Sequence, residues 1–459
     1  RQHAANVQED RRDLDGFNPL DALPQHARKY LAYWNNLSAV SHSGPSYCHI
    51  SRKILQQYID RAEAKTGRKV TDRADEEIHS VDQIKRGPDC SPEAHAFIDE
   101  MSKEFADVFS KSSYHLPKQV VDDDGTPIII ALNFKPGARP QRCRAPTDRP
   151  GSPKFQILLG VQENLTKMGL LYMVKNCKSS NRAHLVAKWA ADADRNVEGA
   201  TPKTLRFTAD LVAANTQIAL LQHVGGDTAR ELERAAGHLW YCGADASKAY
   251  WSFTLDKRSA EFCAVWLPHN GEWRLFAWRR MPMGMKNSGV HMQAFYFDVA
   301  AKCLKRETYS NLADDWLFFA MQQMTCLRHF REFLKMCAKH NITLKPEKFE
   351  LLFNHANYYG WRLDINGRSP AERNLKPIRR MQDPKDVAEL RAVIGFFNFF
   401  STFLVSFHAD EKTGVRRPHF YKELIYKISI KYYNDTSKGR SFRDWWGDEQ
   451  RTAFNRIKD

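Results

Sequence analysis

The stretch from Leu239 to Ala320 constrains this chain most, because it sets two acidic sites among residues that suit buried strands. Asp245 ends the run Leu239-Trp-Tyr-Cys-Gly-Ala-Asp245, and Asp314-Asp315 interrupts Asn311-Leu-Ala-Asp-Asp-Trp-Leu-Phe-Phe319. Short apolar runs of this kind read as strands buried on both faces. A carboxylate in such a place is costly unless it is paired or bound to metal. Two acidic sites on neighbouring strands would bring hard oxygen ligands together for divalent cations. That arrangement suits nucleotidyl transfer, in which one cation sharpens a 3' hydroxyl and another neutralises a triphosphate. Taken alone, an Asp-Asp pair between apolar residues also fits an ordinary capped turn.

The order of the surrounding elements adds to this. Asp245-Ala-Ser-Lys-Ala-Tyr250-Trp-Ser-Phe253 is followed by Arg280-Met-Pro-Met-Gly284-Met-Lys-Asn287, Gln293 and Leu312-Ala-Asp-Asp315. His329, Leu334, Leu344, Lys348, Phe349, Tyr359-Gly360-Trp361 and Gly367 continue the series. It ends with Val393-Ile-Gly395-Phe-Phe-Asn398 and Trp446-x-x-Glu449-Gln450-x-x-Ala453-Phe454. From about Phe105 to Asp459 this order resembles the reverse transcriptase of gypsy-class long-terminal-repeat retrotransposons. The resemblance implies an α+β chain with the right-hand polymerase fold of fingers, palm and thumb, preceded by a helical N-terminal extension.

The resemblance also implies roles. Asp245, Asp314 and Asp315 would be the catalytic and metal-holding residues, with Mg2+ or Mn2+ as the cofactor. Tyr250 would lie under the sugar and exclude a 2' hydroxyl, although a core aromatic beside Trp251 and Phe253 reads equally well. Lys188, with Arg206 as the nearest substitute for a missing arginine, would meet the triphosphate; an exposed hairpin lysine is the plain alternative. Gly284 would supply a turn beside the nucleotide that only glycine adopts freely. Gln293 would touch template or nucleotide, or serve as a helix-packing amide. Trp361, by ring or backbone, would hold the primer end.

Composition fits this frame. The chain has 459 residues, beyond one ordinary core, and 42% are hydrophobic. Its 69 Lys and Arg against 54 Asp and Glu give a net charge of +15, which suits a polyanionic partner or a merely basic surface. The 9 cysteines lack the paired spacing of zinc sites or disulfide frameworks, so a reducing intracellular compartment is expected: cytoplasm, nucleus or organelle matrix. No uncharged stretch has membrane-spanning length, so membrane insertion is not expected. The chain begins at Arg1 rather than Met, which suggests a processed or partial product.

Along the chain, residues 1–98 read as a helical extension, with helices expected over Leu20 to Ser41, Ser51 to Gly67 and from Ser91-Pro-Glu onward. Residues 99–238 would be fingers and the start of the palm. They include a strand over Val120 to Phe134, a helix over Ser152 to Gly169, a hairpin over Ala183 to Asp210 and a helix from Asn215 to Gly237. Residues 239–365 would be the palm with a primer-grip-like hairpin, and 366–410 thumb-like helices. Residues 411–459 would be a basic, aromatic insertion and a connection-like helix. That insertion suits single strands, structured RNA or a docked protein.

Several positions depart from the family pattern. Ala249, Val212, Leu312 and Ala313 replace expected residues, Ala260-Glu261-Phe262 lacks an expected basic segment, and the sequence stops where the resemblance would lead into a ribonuclease H domain. Two readings result. One is an RNA-directed DNA polymerase acting on a template-primer duplex. The other is a domesticated, non-catalytic relative without metal, serving as an RNA- or protein-binding subunit of a larger ribonucleoprotein.

Overall fold

The computed structural model describes residues 50–372, apart from 71–76, 176, 189–200, 203 and 223–227, together with 446–458 and scattered positions between. The expected helix over Leu20 to Ser41, the thumb helices and the 411–441 insertion lie outside the described residues. The chain divides into two compact units, residues 1–72, 147–161 and 183–208 in one, and 73–146, 162–182 and 209–459 in the other.

In the smaller unit, the helix Arg52–Thr66 starts at Ser51, whose hydroxyl accepts from the Ile54 N–H, and stops at Gly67 in the left-handed region. Leu55 and Ile59 from this helix pack with Ile157, Leu185 and Leu205.

The larger unit holds, in chain order, β1 (Lys85–Arg86), β2 (Ile129–Ile130), β3 (Leu171–Val174), β6 (Trp240–Asp245), β7 (Thr254–Leu255), β8 (Val265–His269) and β9 (Glu272–Trp278). It continues with β10 (Tyr309–Leu312), β11 (Asp315–Ala320), β12 (Glu350–Phe353), β13 (His355–Tyr358), β14 (Trp361–Asp364) and β15 (Gly367–Pro370). The remaining pair, β4 (Arg182–Lys188) and β5 (Thr204–Asp210), forms the expected hairpin. The expected strand over Val120 to Phe134 contracts to β2, because Asp122 caps a tight turn there with its carboxylate accepting from Asp124 and Thr126.

Among the described residues the central sheet runs β1-β12-β6-β11-β10. Its β6–β11 pairing is antiparallel and sets Asp315 opposite Asp245, Leu317 opposite Gly243 and Phe319 opposite Tyr241. One face therefore carries Asp245, Asp315, Leu317 and Phe319, and the other carries Trp316 and Phe318. The second face is closed by the helices Ser288–Cys303 and Gln323–Lys339. The Trp316 ring lies 4.9 Å from Phe333 and 5.6 Å from Tyr296. Each such buried ring contributes roughly 1.5–3 kcal/mol. The acid-bearing face is covered away from Asp245 by the β13–β14–β15 hairpins, through Tyr358, Trp361 and Leu363.

The N-terminal boundary differs from expectation. The helix Pro92–Glu104 crosses residue 98 and lies on the helix Gln323–Lys339, with Arg331 bonded to Glu104 at 2.6 Å and stacked over Phe97. β1 pairs parallel with β12 at the edge of the central sheet. Residues from Lys85 onward thus belong to the body that carries the acids. The expected helix from Asn215 to Gly237 is instead two described pieces, Val212–Thr216 and Thr228–Ala235.

Candidate active site

The site is built at one end of the β6–β11 pair. Asp245 is the last residue of β6, and Asp315 is the first of β11. Because they are direct cross-strand partners, their side chains emerge on the same face. Asp314 lies in the loop just before, and its carbonyl accepts from the Ala246 N–H at 3.0 Å. The opposite flank is fixed by the Lys345 N–H, which donates to the Asp245 carbonyl at 3.2 Å.

Burial is the largest influence on the Asp245 carboxyl, followed by the charges of Asp314 and Asp315, and together they push its pKa up to about 7. A hydrogen bond to the Asp315 side chain acts in the same direction, while exposed Lys348 opposes it. Crowded carboxylates behave this way when nothing positive lies between them. Among the described residues, no group of three or more His, Cys, Asp or Glu side chains is already arranged as a metal cage. The fit to a divalent cation rests on the donor chemistry: hard oxygens, adjacent, carrying surplus negative charge. Burial first, and then the charges of Cys337, Asp314 and Asp245, hold the Tyr296 phenol well above its ordinary range, and its hydroxyl has no hydrogen-bond partner among the described residues.

The loop between β10 and β11 is two residues long, since Leu312 pairs with Asp315. Ala313 occupies its first position with φ 57, where tight hairpins favour glycine. Side chains hold it there. The Ala313 N–H donates to Gln293 Oε1 at 2.6 Å, and Gln293 Nε2 donates to Asn311 Oδ1 at 2.7 Å. Asn311 Nδ2 donates to the carbonyls of Ala313 and Asp315, each at 3.1 Å. The Tyr358 and Tyr359 hydroxyls donate to the Asp315 and Leu312 carbonyls at 3.3 and 2.7 Å. Gln293 is only 6% exposed and gives both ends of its amide to Ala313 and Asn311.

Tyr250 is half-buried, and its hydroxyl would stand 3.8 Å from a Cβ at Gly289, near the start of the helix Ser288–Cys303. Burial and then the charge of Asp314 raise its pKa. Gly284 has φ 84, and a Cβ there would meet only the Ala209 carbonyl at 3.8 Å, so backbone conformation rather than space demands glycine. Its turn is clasped by Asn215, whose Nδ2 donates to the Gly284 carbonyl at 2.9 Å while its Oδ1 accepts from the Lys286 N–H at 2.8 Å. The sequence places Asn215 at the start of a helix running to Gly237; it belongs instead to the short helix Val212–Thr216, and its side chain serves the turn.

Trp361 is 6% exposed within the core, with Arg368 over its ring, and its strand pairs with β13 on one side and β15 on the other. Lys188 ends β4, and Arg206 is exposed on β5; both lie in the smaller unit, while the acids, Tyr250, Gly284, Gln293 and Trp361 lie in the larger. Sequence reasoning missed the loop-holding roles of Asn311, Tyr358 and Tyr359. Only Asn311 carried a local signal, a polar residue beside a glycine-free tight turn; Tyr358 and Tyr359 lie more than forty residues away in sequence.

The mostly antiparallel sheet with acids at one end, helices on its back and a following hairpin fit the right-hand polymerase fold. Residues 190–363 match the family described as reverse transcriptase (RNA-dependent DNA polymerase). The chain is 23% identical over 228 residues to the retrovirus-related Pol polyprotein from transposon gypsy of Drosophila melanogaster, covering 47% of this chain and 21% of that one. It is 20% identical over 173 residues to the transposon Tf2-3 polyprotein of Schizosaccharomyces pombe, covering 38% and 13% respectively. Its fold is similar to the foamy viral protease-reverse transcriptase solved with double-stranded DNA, at a TM-score of 0.61 and 17% identity, over 82% of this chain and 58% of that one. The same viral protein solved with an RNA/DNA hybrid gives a TM-score of 0.61 at 16% identity, over 82% and 44%. Together these support a reverse transcriptase of the long-terminal-repeat retrotransposon kind, at low sequence identity. The chain spans about a fifth or less of the length of these curated relatives.

Proposed function

We propose that this chain is an RNA-directed DNA polymerase that works by two-metal nucleotidyl transfer. The observation that carries the proposal is the register of β6 on β11, which sets Asp245 opposite Asp315 and beside Asp314. These carboxylates would hold Mg2+ or Mn2+. When bound, the cations supply activation of the 3' hydroxyl and neutralisation of the leaving pyrophosphate. The protein's part is positioning. Gln293 and Asn311 fix the loop that presents Asp314, and the Gly284 turn is clasped to the segment beginning at Asp210. Tyr250 would meet the sugar of an incoming nucleotide, and a basic chain suits a template-primer partner.

Purified protein with a primed RNA template, deoxynucleotides and Mg2+ or Mn2+ should extend the primer. Asp314→Asn should lower extension by at least about a hundredfold, the scale at which loss of one electrostatic stabiliser acts. No extension by the wild type on RNA or DNA would end the polymerase reading.

A domesticated, non-catalytic RNA- or protein-binding subunit is the second reading, and one observation favours it. Val212, where the family resemblance leads one to look for an arginine, is apolar and 64% exposed. A triphosphate would lack that cation. This reading expects nucleic-acid or protein binding that Asp314→Asn leaves unchanged.

A further inference from the structure

The loop carrying Asp314 is strained and held from outside. Ala313 is a non-glycine residue at positive φ, which costs about 1–2 kcal/mol. Such a conformation persists where its surroundings over-determine it. Gln293 and Asn311 hold the Ala313 end of the loop. The strand end that feeds the loop is held differently. The Tyr359 hydroxyl donates to the Leu312 carbonyl at 2.7 Å, from a residue distant in sequence.

Tyr359 is itself unusual. It lies in the tight loop between β13 and β14, at φ 49, followed by Gly360 at φ 86. Its neighbours Tyr358 and Trp361 are locked in the core with Tyr241, Leu312 and Leu317. The Tyr359 ring is 37% exposed, so burial alone does not account for a large aromatic at this place. Its hydroxyl therefore ties one strained hairpin loop, anchored by core neighbours, to the strand that ends in another.

We propose that Tyr359 is a positioning residue for divalent-cation binding: its hydroxyl fixes the Leu312 carbonyl and through it the presentation of the Asp314 and Asp315 carboxylates toward Asp245. The inference rests on the metal-holding reading of the acids given above. After burial, the charges of Asp315 and Asp314 are the main influences that raise the Tyr359 pKa, which agrees with a hydroxyl close to both. Removing the hydroxyl leaves the Leu312 carbonyl without this donor and lets the loop relax toward less strained backbone.

The test is titration with Mn2+ alone, followed by electron paramagnetic resonance, on wild type, Tyr359→Phe, Tyr359→Leu and Asp245→Asn. Thermal unfolding of the metal-free proteins is recorded alongside. Wild type should bind Mn2+, and Asp245→Asn should lose that binding. Both Tyr359 variants should bind about three- to tenfold more weakly, as expected for one lost hydrogen bond to a strained element. Unchanged affinity in the folded Tyr359 variants overturns the positioning role while leaving the metal-holding acids intact, even if unfolding temperature falls. Absence of Mn2+ binding by the wild type overturns both.

Discussion

At the residue scale, Asp245 shows how function and stability oppose each other. Its carboxyl, ordinarily with a pKa near 3.8, is pushed up to about 7 in the folded chain by burial and then by the charges of Asp314 and Asp315. The folded state thus holds a proton where the unfolded state has released it. Without metal, stability is greatest below the unfolded pKa and declines as pH rises toward 7. Asp245→Asn removes that decline. The variant should be more stable than wild type by about 1–3 kcal/mol in metal-free buffer at pH 8, and indistinguishable near pH 4. Chemical denaturation at the two pH values checks this, and equal stability at pH 8 would show that the acids do not crowd one another. Ala313 gives the complementary case. Ala313→Gly relieves positive φ and should be neutral or stabilising, whereas Ala313→Val should cost on the order of 1–3 kcal/mol. Both are read from urea midpoints. The acids themselves were legible in the sequence, because carboxylates stand out in apolar strands. The hydroxyls that hold their loop were not, because Tyr358 and Tyr359 reach it only through the fold.

At the element scale, local signals worked where a helix carries its own caps. Ser91, followed by Pro92 and Glu93, starts the helix Pro92–Glu104 with its hydroxyl accepting from the Ala94 N–H. Ser91→Ala should lower stability by about 1 kcal/mol, measured as a fall in unfolding temperature. The signals failed where a long-range partner chose the outcome. Asn215 resembles a cap, yet Gly284 and Lys286 claim its side chain. The apolar Val120 to Phe134 run resembles a strand, yet only Ile129–Ile130 pairs as a strand, with β7, while Val121 and Phe134 form isolated bridges to Pro127 and Ile218. Gln293 belongs here as well, since the helix Ser288–Cys303 holds it against the loop before Asp315. Gln293→Leu keeps the volume but strands the Ala313 N–H, at about 1–3 kcal/mol. A urea midpoint equal to wild type would mean the loop does not depend on that bond.

At the scale of the whole molecule, charge leads the argument. A net charge of +15 predicts that binding to a primed duplex weakens as salt rises, with a log–log slope of about −0.9 per phosphate neutralised. Fluorescence anisotropy between low and physiological salt measures it, and a flat response would count against a nucleic-acid partner. The sequence by itself determined the apolar strand stretches, the acids within them, the glycine turn and the order that ties this chain to reverse transcriptases. All of these are local in the chain, so pattern and composition suffice to reveal them. Only the tertiary structure decided that β6 and β11 pair with Asp245 facing Asp315, that the Trp361 ring turns into the core, and that residues from Lys85 onward complete the central sheet. Strand register and cross-chain hydrogen bonds depend on which distant segments bury each other's surfaces, and that choice is made by packing across the folded molecule.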